Sequence, residues 1–158
     1  MKKLPKNKGM SAVELLVVVG VLIIISTIVF PKLSKFHKQQ ALDNTAEDVV
    51  SLLNEARNNT ISSKNSTTYG IHFMTDRAIL FDGASYVESP NNKSIIFDEY
   101  VSIDDDNGIA LNGGGDDILF TRLTGDTEDY GTITIELVSD ATRQKVVTVN
   151  KIGIIGTN

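Results

Sequence analysis

Apolar and polar positions divide the chain into three stretches. From Ala12 to Phe30 the residues are almost all apolar, and Glu14 is the only ionisable side chain among them. About 20 such residues, at about 1.5 Å each along a helix, match the hydrocarbon thickness of a bilayer, so this run predicts a membrane-crossing helix. Residues 32 to 60 keep helical spacing but change character. Leu42, Ala46, Val49, Leu53 and Ala56 recur at intervals of 4, 3, 4 and 3 and therefore share one face. Lys38, Asp43, Asp48, Glu55 and Arg57 are expected on the opposite side, so this half should lay its apolar stripe on a globular head. One helix from Ala12 to Thr60 is predicted, ending within "NNTISSKNS", where the periodicity is lost.

From Thr67 onward the period changes to two. "TTYGIHFM" and "RAILF", joined by Thr75 and Asp76, read as a β-hairpin. "KSIIFDEYVSI", "DILFTRL", "GTITIELV" and "KVVTVNKIGII" follow as further strands, with "SDATRQ" as the loop joining the last two. In "TITIELV", Ile133, Ile135 and Leu137 alternate with Thr134 and Glu136, as in a sheet buried on one face. The predicted fold class is α+β, with a long N-terminal helix, membrane-spanning in its first half, packed on an antiparallel β-sheet head.

Composition narrows what such a chain can do. Its 158 residues, 41% of them hydrophobic, allow one membrane segment and one modest domain. The absence of cysteine excludes disulfides, thiolate metal sites and cysteine nucleophiles. Lys2, Lys3, Lys6 and Lys8 stand in the first nine residues with no acid, so the rest of the chain is more acidic than the overall net charge of −5. A basic tail before an apolar helix stays cytoplasmic and the following chain is exported. The exported part is then acidic, which repels phosphates, and nucleic-acid binding is not expected.

Three explanations compete for the N-terminus. A secretory signal peptide has an apolar core of about 7 to 15 residues and a small-residue cleavage site; here the run is longer and ends in "FPKLSKFHK" without that pattern. A plain single-pass anchor offers no reason for Glu14, whose burial at the membrane centre would cost roughly 2.5–3.5 kcal/mol, although near the cytoplasmic end the side chain can reach the interface. The third explanation uses the whole arrangement: a basic leader ending in Gly9, then Met10, then Glu14 as the fifth residue after the glycine, then an apolar helix reaching Pro31. This resembles the class III signal of the type IV pilin and pseudopilin superfamily.

The resemblance implies that a prepilin peptidase cuts between Gly9 and Met10 and methylates the new amine of Met10. Phenylalanine is the usual residue after the cut in that family, and Met10 departs from it. Glu14 would serve subunit assembly by neutralising the Met10 amine of a neighbouring subunit inside the low-dielectric membrane, where unpaired charge is expensive. Pro31 matches the family's proline at the membrane exit and is expected to kink the helix. The family often has a glycine eight residues earlier, where this chain has Ile23, with Gly20 a further three residues back. The implied organisation is a leader over 1–9, an assembly half of the helix over 10–31, an amphipathic half over 32–60 and a β-rich head over 61–158.

The head sharpens the resemblance. "EARNNTISSKNSTTYGIHF", "ILFTRLTGDTEDYGTITIEL" and the terminal "KVVTVNKIGIIG" are together similar to the GspH/FimT-type minor pilins and pseudopilins. The function this implies is that of a structural subunit of a type IV pilus or type II secretion pseudopilus. Its implied partners are prepilin peptidase, other pilins or pseudopilins and an inner-membrane assembly platform. The implied location is the cytoplasmic membrane, crossed once, with the head outside. Some members of the branch bind DNA through arginines around the terminal glycine; here Lys151 precedes Gly153, Ile154 and Ile155 follow it, and those arginines are missing. The alternative is a membrane-anchored binding module whose head receives DNA, carbohydrate or a secreted substrate.

Candidate chemistry is sparse. "SIDDDNGIALNGGGDDI" gathers oxygen ligands in two turns, making Asp104, Asp106, Asp116 and Asp117 calcium candidates. The helix-loop-helix calcium spacing fails, since Gly108 at its sixth position would put Ile103 first. Exposed turns require Asp, Asn and Gly in any case. His37 and His72 have separate structural roles, and "GGG" at Gly113 to Gly115 lacks the lysine and helix of a phosphate-binding loop. No enzyme activity and no cofactor are expected.

Overall fold

The computed structural model describes residues 10–104 and 107–158, the side chains of residues 28–31 excepted. Its first element is one helix, α1 (Ala12–Ile61), which runs through position 31 without ending there. Ser11 caps it: its carbonyl accepts the Leu15 N–H at 3.1 Å and its hydroxyl accepts the Val13 N–H at 3.4 Å. Within the apolar stretch Ser26 Oγ donates to the Leu22 carbonyl and Thr27 Oγ1 to that of Ile24, each at 2.7 Å, so these hydroxyls are satisfied by their own helix. The chain forms two compact units divided between His37 and Lys38.

In the first unit the helix is bare. An 18-residue window reaches a mean hydropathy of 2.9 with none of it buried, and Leu16 is 74% exposed. This helix has the length and composition to cross a membrane.

In the second unit the helix is a core element. All five residues of the predicted stripe, Leu42, Ala46, Val49, Leu53 and Ala56, are buried, together with Leu52. Four of the five charged residues expected on the far side instead flank the stripe and reach the head. Lys38 Nζ donates to Ser139 Oγ at 3.2 Å, Asp43 pairs with Lys145 at 3.4 Å, Glu55 with Lys93 at 2.6 Å, and Arg57 grips two loop carbonyls. Only Asp48 of that set is fully exposed without such a contact. A helix lying in a sheet's concavity has flanks as well as a back, and long charged side chains reach sideways from them.

The helix ends in the predicted segment, followed by a 3-10 turn at Lys64–Ser66. Ser63, Asn65 and Ser66 adopt left-handed φ values of 50°, 53° and 58° there. Buried Thr60 joins helix to sheet: its Oγ1 donates to the Ala56 carbonyl at 2.9 Å and accepts the Tyr69 N–H at 2.9 Å. Thr60→Val keeps the shape but leaves that buried N–H unpaired, so it should cost the head about 1–3 kcal/mol. Thermal melting followed by circular dichroism checks this, with an unchanged midpoint counting against the role of the joint.

The strands form two antiparallel sheets rather than one. The first has the order β3 (Lys93–Ile96), β2 (Arg77–Asp82), β1 (Tyr69–Met74), β6 (Asp117–Leu119). The hairpin β1–β2 pairs Met74 with Arg77 across Thr75 and Asp76, as predicted. The second sheet has the order β4 (Val101–Ile103), β7 (Gly131–Leu137), β8 (Asp140–Val149), β9 (Ile155–Thr157), and β5 (Ile109–Leu111) also pairs with β7. Because β8 occupies one edge of β7, β4 and β5 share the other, facing Ile135–Leu137 and Gly131–Ile133 in turn.

β4 and β5 thus behave as one strand interrupted after Ile103 and resumed at Ile109. Gly108 closes the interruption, its N–H donating to the Asp104 carbonyl at 2.9 Å and its carbonyl accepting the Thr134 N–H at 2.7 Å. A Cβ there would run into Asp104 backbone and the Ile103 side chain.

Four strand expectations change. "KSIIFDEYVSI" is two strands on different sheets, β5 was not anticipated, "KVVTVNKIGII" is split by a turn into the end of β8 and the start of β9, and "SDATRQ" is mostly strand, since β8 begins at Asp140 and the turn is only Val138 and Ser139. One core unites the unit: the helix stripe meets Ile71, Phe73 and Ile118 of the first sheet and Ile133, Ile135 and Val147 of the second.

Candidate functional site

The first candidate site is the start of α1. Met10 precedes the helix, and Glu14 stands in its first turn, where a carboxylate complements the unpaired N–H groups of the helix end. Glu14 is exposed and has no hydrogen-bond or ionic partner among the described residues. The proposed cut falls after Gly9, which lies outside the described residues.

The second lies at the far end of the head. Arg57 Nε donates to the Gly125 carbonyl at 3.2 Å and Nη2 to that of Ile152 at 3.4 Å, so one guanidinium ties together the loop after β6 and the turn between β8 and β9. The Thr127 N–H adds a bond to the Lys151 carbonyl at 2.9 Å. Gly125 and Gly153 both take φ of +73°, and Leu123, at +71°, is 76% exposed on the same loop. Arg57 was placed on the polar back of the helix by pattern alone. Its spacing of four from Leu53 puts it beside the stripe, and that was the signal available.

This arrangement bears on DNA. Lys151, the cation two residues before Gly153 in sequence, pairs with Glu128 at 3.0 Å, and that hydrogen-bonded carboxylate raises the ammonium's pKa. Its neighbours Ile152 and Ile154 are exposed apolar residues. The loop presents apolar surface and a lysine paired with a carboxylate.

The calcium candidates are dispersed. Asp117 Oδ1 accepts a hydrogen bond from His72 Nδ1 at 2.6 Å, and the His72 ring stacks on Tyr86 with centroids 4.0 Å apart. Asp104 and Asp116 line a recess of about 240 Å³ together with His72 and Thr75. Asp106 lies outside the described residues. Among the described residues no three carboxylate or imidazole groups converge as a metal site requires.

The fold, a helix packed on antiparallel sheets, is like that of a solved pseudopilin. The chain is similar to the solved structure of the minor pseudopilin EpsH from the type 2 secretion system of Vibrio cholerae. The TM-score is 0.54 at 14% identity, over 74% of this chain and 95% of that one. No family model matches the sequence, and no curated protein matches it.

Proposed function

We propose that this chain is a minor pilin or pseudopilin of the GspH/FimT type, a structural subunit and not an enzyme. The observation that carries the reading is the division of one helix between two tasks. Its second half is core to a pseudopilin-like head, while its first half is bare, apolar and long enough to cross a bilayer. A soluble domain gains nothing from 14 exposed large hydrophobic side chains among the described residues between Met10 and Phe36, whereas a filament or membrane covers them.

Prepilin peptidase removes residues 1–9 by cutting between Gly9 and Met10, then methylates Met10. Before assembly the subunit crosses the cytoplasmic membrane once with its head outside. It then leaves through an inner-membrane platform into a filament with other pilins or pseudopilins. The likeness to EpsH favours a type II secretion pseudopilus over a type IV pilus.

Intact mass and N-terminal analysis of the membrane-extracted protein test this reading. Mature chains should begin at N-methylated Met10. Chains still beginning at Met1 in cells with active prepilin peptidase would make the helix a plain anchor.

A further inference from the structure

A notch of about 430 Å³ opens in the head where the end of α1 and the turn after it meet β2 and β3. Its floor is made of the buried Tyr69 and Leu80, while Phe81, the next residue along β2, turns its ring to the opposite face of the sheet against Tyr86. Its rim is amide-rich and drawn from three separate segments: Asn59 from the helix, Asn65 from the 3-10 turn and Asn91 from the loop before β3. The volume falls within the roughly 300–1,000 Å³ typical of small-ligand sites.

Three features define what would fit. First, the side chains of Asn59, Asn91 and Asp82 have no partner among the described residues, while Asn65 Nδ2 donates to the Tyr69 hydroxyl at 3.2 Å. Each free amide offers two donors and an acceptor in one plane.

Second, the charges cancel. Glu55 and Lys93 pair across the rim at 2.6 Å, and Asp82 and Lys64 carry opposite signs. Neither an anion nor a cation finds a net field there, and a phosphate would face two carboxylates.

Third, Asn65 is held over the floor by backbone in the left-handed region, with Ser63 and Ser66 beside it in the same region, and the buried Ser63 hydroxyl has no partner. Non-glycine residues in such conformations concentrate at ligand clamps. A floor of one aromatic and one aliphatic side chain, under a rim where three amides alternate with charges that cancel in pairs, matches a neutral sugar, whose C–H face lies on the floor while its hydroxyls reach the amides.

We propose that this notch binds a neutral saccharide, independently of how the N-terminal helix is used. The test uses the full chain in phosphatidylcholine nanodiscs, which carry no sugar headgroups. Saturation-transfer NMR is recorded with chitotetraose, maltotetraose, cellotetraose and, as the charged counterpart, tetragalacturonate. At least one neutral tetrasaccharide should receive saturation, and the side-chain amide signals of Asn59, Asn65 and Asn91 should shift on titration. Asn59→Ala and Asn91→Ala should each weaken that binding roughly tenfold, the loss of one or two good hydrogen bonds. No transfer to any neutral sugar, shifts confined to other residues, or tetragalacturonate binding as well as the neutral series would each overturn the assignment. The amide shifts are read on the unaltered chain, so the test stands even where a variant misfolds.

Discussion

Glu14→Ala should leave the chain inserted and cut after Gly9, yet lower its incorporation into filaments by more than about a hundredfold. The expectation follows from the electrostatics of a charge in a medium that cannot solvate it. Cleavage before Met10 would create an ammonium four residues from Glu14 along the chain, at the helix end where no other ionisable side chain stands. Within its own chain Glu14 has no partner among the described residues, and its place in the first turn points it outward from the helix.

On the proposed reading, the Met10 amine of a neighbouring subunit would meet it when helices stack. Removing one member of a buried ion pair costs roughly 3–5 kcal/mol, because the survivor stays charged and dry. That range corresponds to about two to three and a half decades in an association constant. The unassembled subunit has no such pair to lose, so insertion and cleavage continue. Fractionation of sheared filaments from membranes, with mass analysis of the N-terminus, separates these steps. Glu14→Asp should restore part of the incorporation, since the charge survives on a shorter arm. Filaments that take up Glu14→Ala as readily as the unaltered chain would remove the electrostatic basis of assembly.

The parts of this molecule that were legible in sequence are those where one period dominates. Leu42, Ala46, Val49, Leu53 and Ala56 are buried because each lies three or four residues from the next. Ile133, Ile135 and Leu137 are buried for the matching reason on a strand. Periodicity says which face is inside but not which sheet a strand joins. "KSIIFDEYVSI" therefore read as one unit although the turn at Phe97–Tyr100 carries it from the first sheet to the second.

β5 was hidden because three residues, Ile109 to Leu111, are too few to show alternation, and their strand character comes from the free edge of β7. The start of β8 was hidden because Asp140, Ala141 and Thr142 are exposed at a hairpin's end and carry no apolar signal. The notch was illegible for a different reason. Asn59, Asn65 and Asn91 read locally as helix end, turn and loop, and only the packing of α1 against β1 and β2 brings them to one rim.

Gly153→Ala should lower the melting midpoint of the head by roughly 10–15 °C, far more than its single methyl group suggests. Two effects act at one atom. Gly153 has φ of +73°, and an L side chain in that region costs about 1–3 kcal/mol where the surroundings fix the conformation. They do so here: the Gly153 N–H donates to the Asn150 carbonyl at 2.8 Å and the Asn150 N–H to that of Ile154 at 2.9 Å, closing a tight turn between β8 and β9. The added methyl would also collide with the Gly125 carbonyl oxygen and come within 2.6 Å of Arg57 Nε.

That carbonyl is the acceptor through which Arg57 holds the two loops, so relief of the collision must break the clamp. A combined loss of roughly 3 kcal/mol converts to the stated fall at about 3–5 °C per kcal/mol, between the values for smaller and larger domains. Gly156→Ala is the internal control, because a methyl there meets nothing within 4 Å and φ is not positive. It should move the midpoint by less than about 2 °C. Arg57→Ala should fall between the two, since it removes the clamp without straining the turn. Equal midpoints for Gly153→Ala and Gly156→Ala would show that the loops are held by their own backbone bonds, with no dependence on the close approach of Gly125 and Gly153.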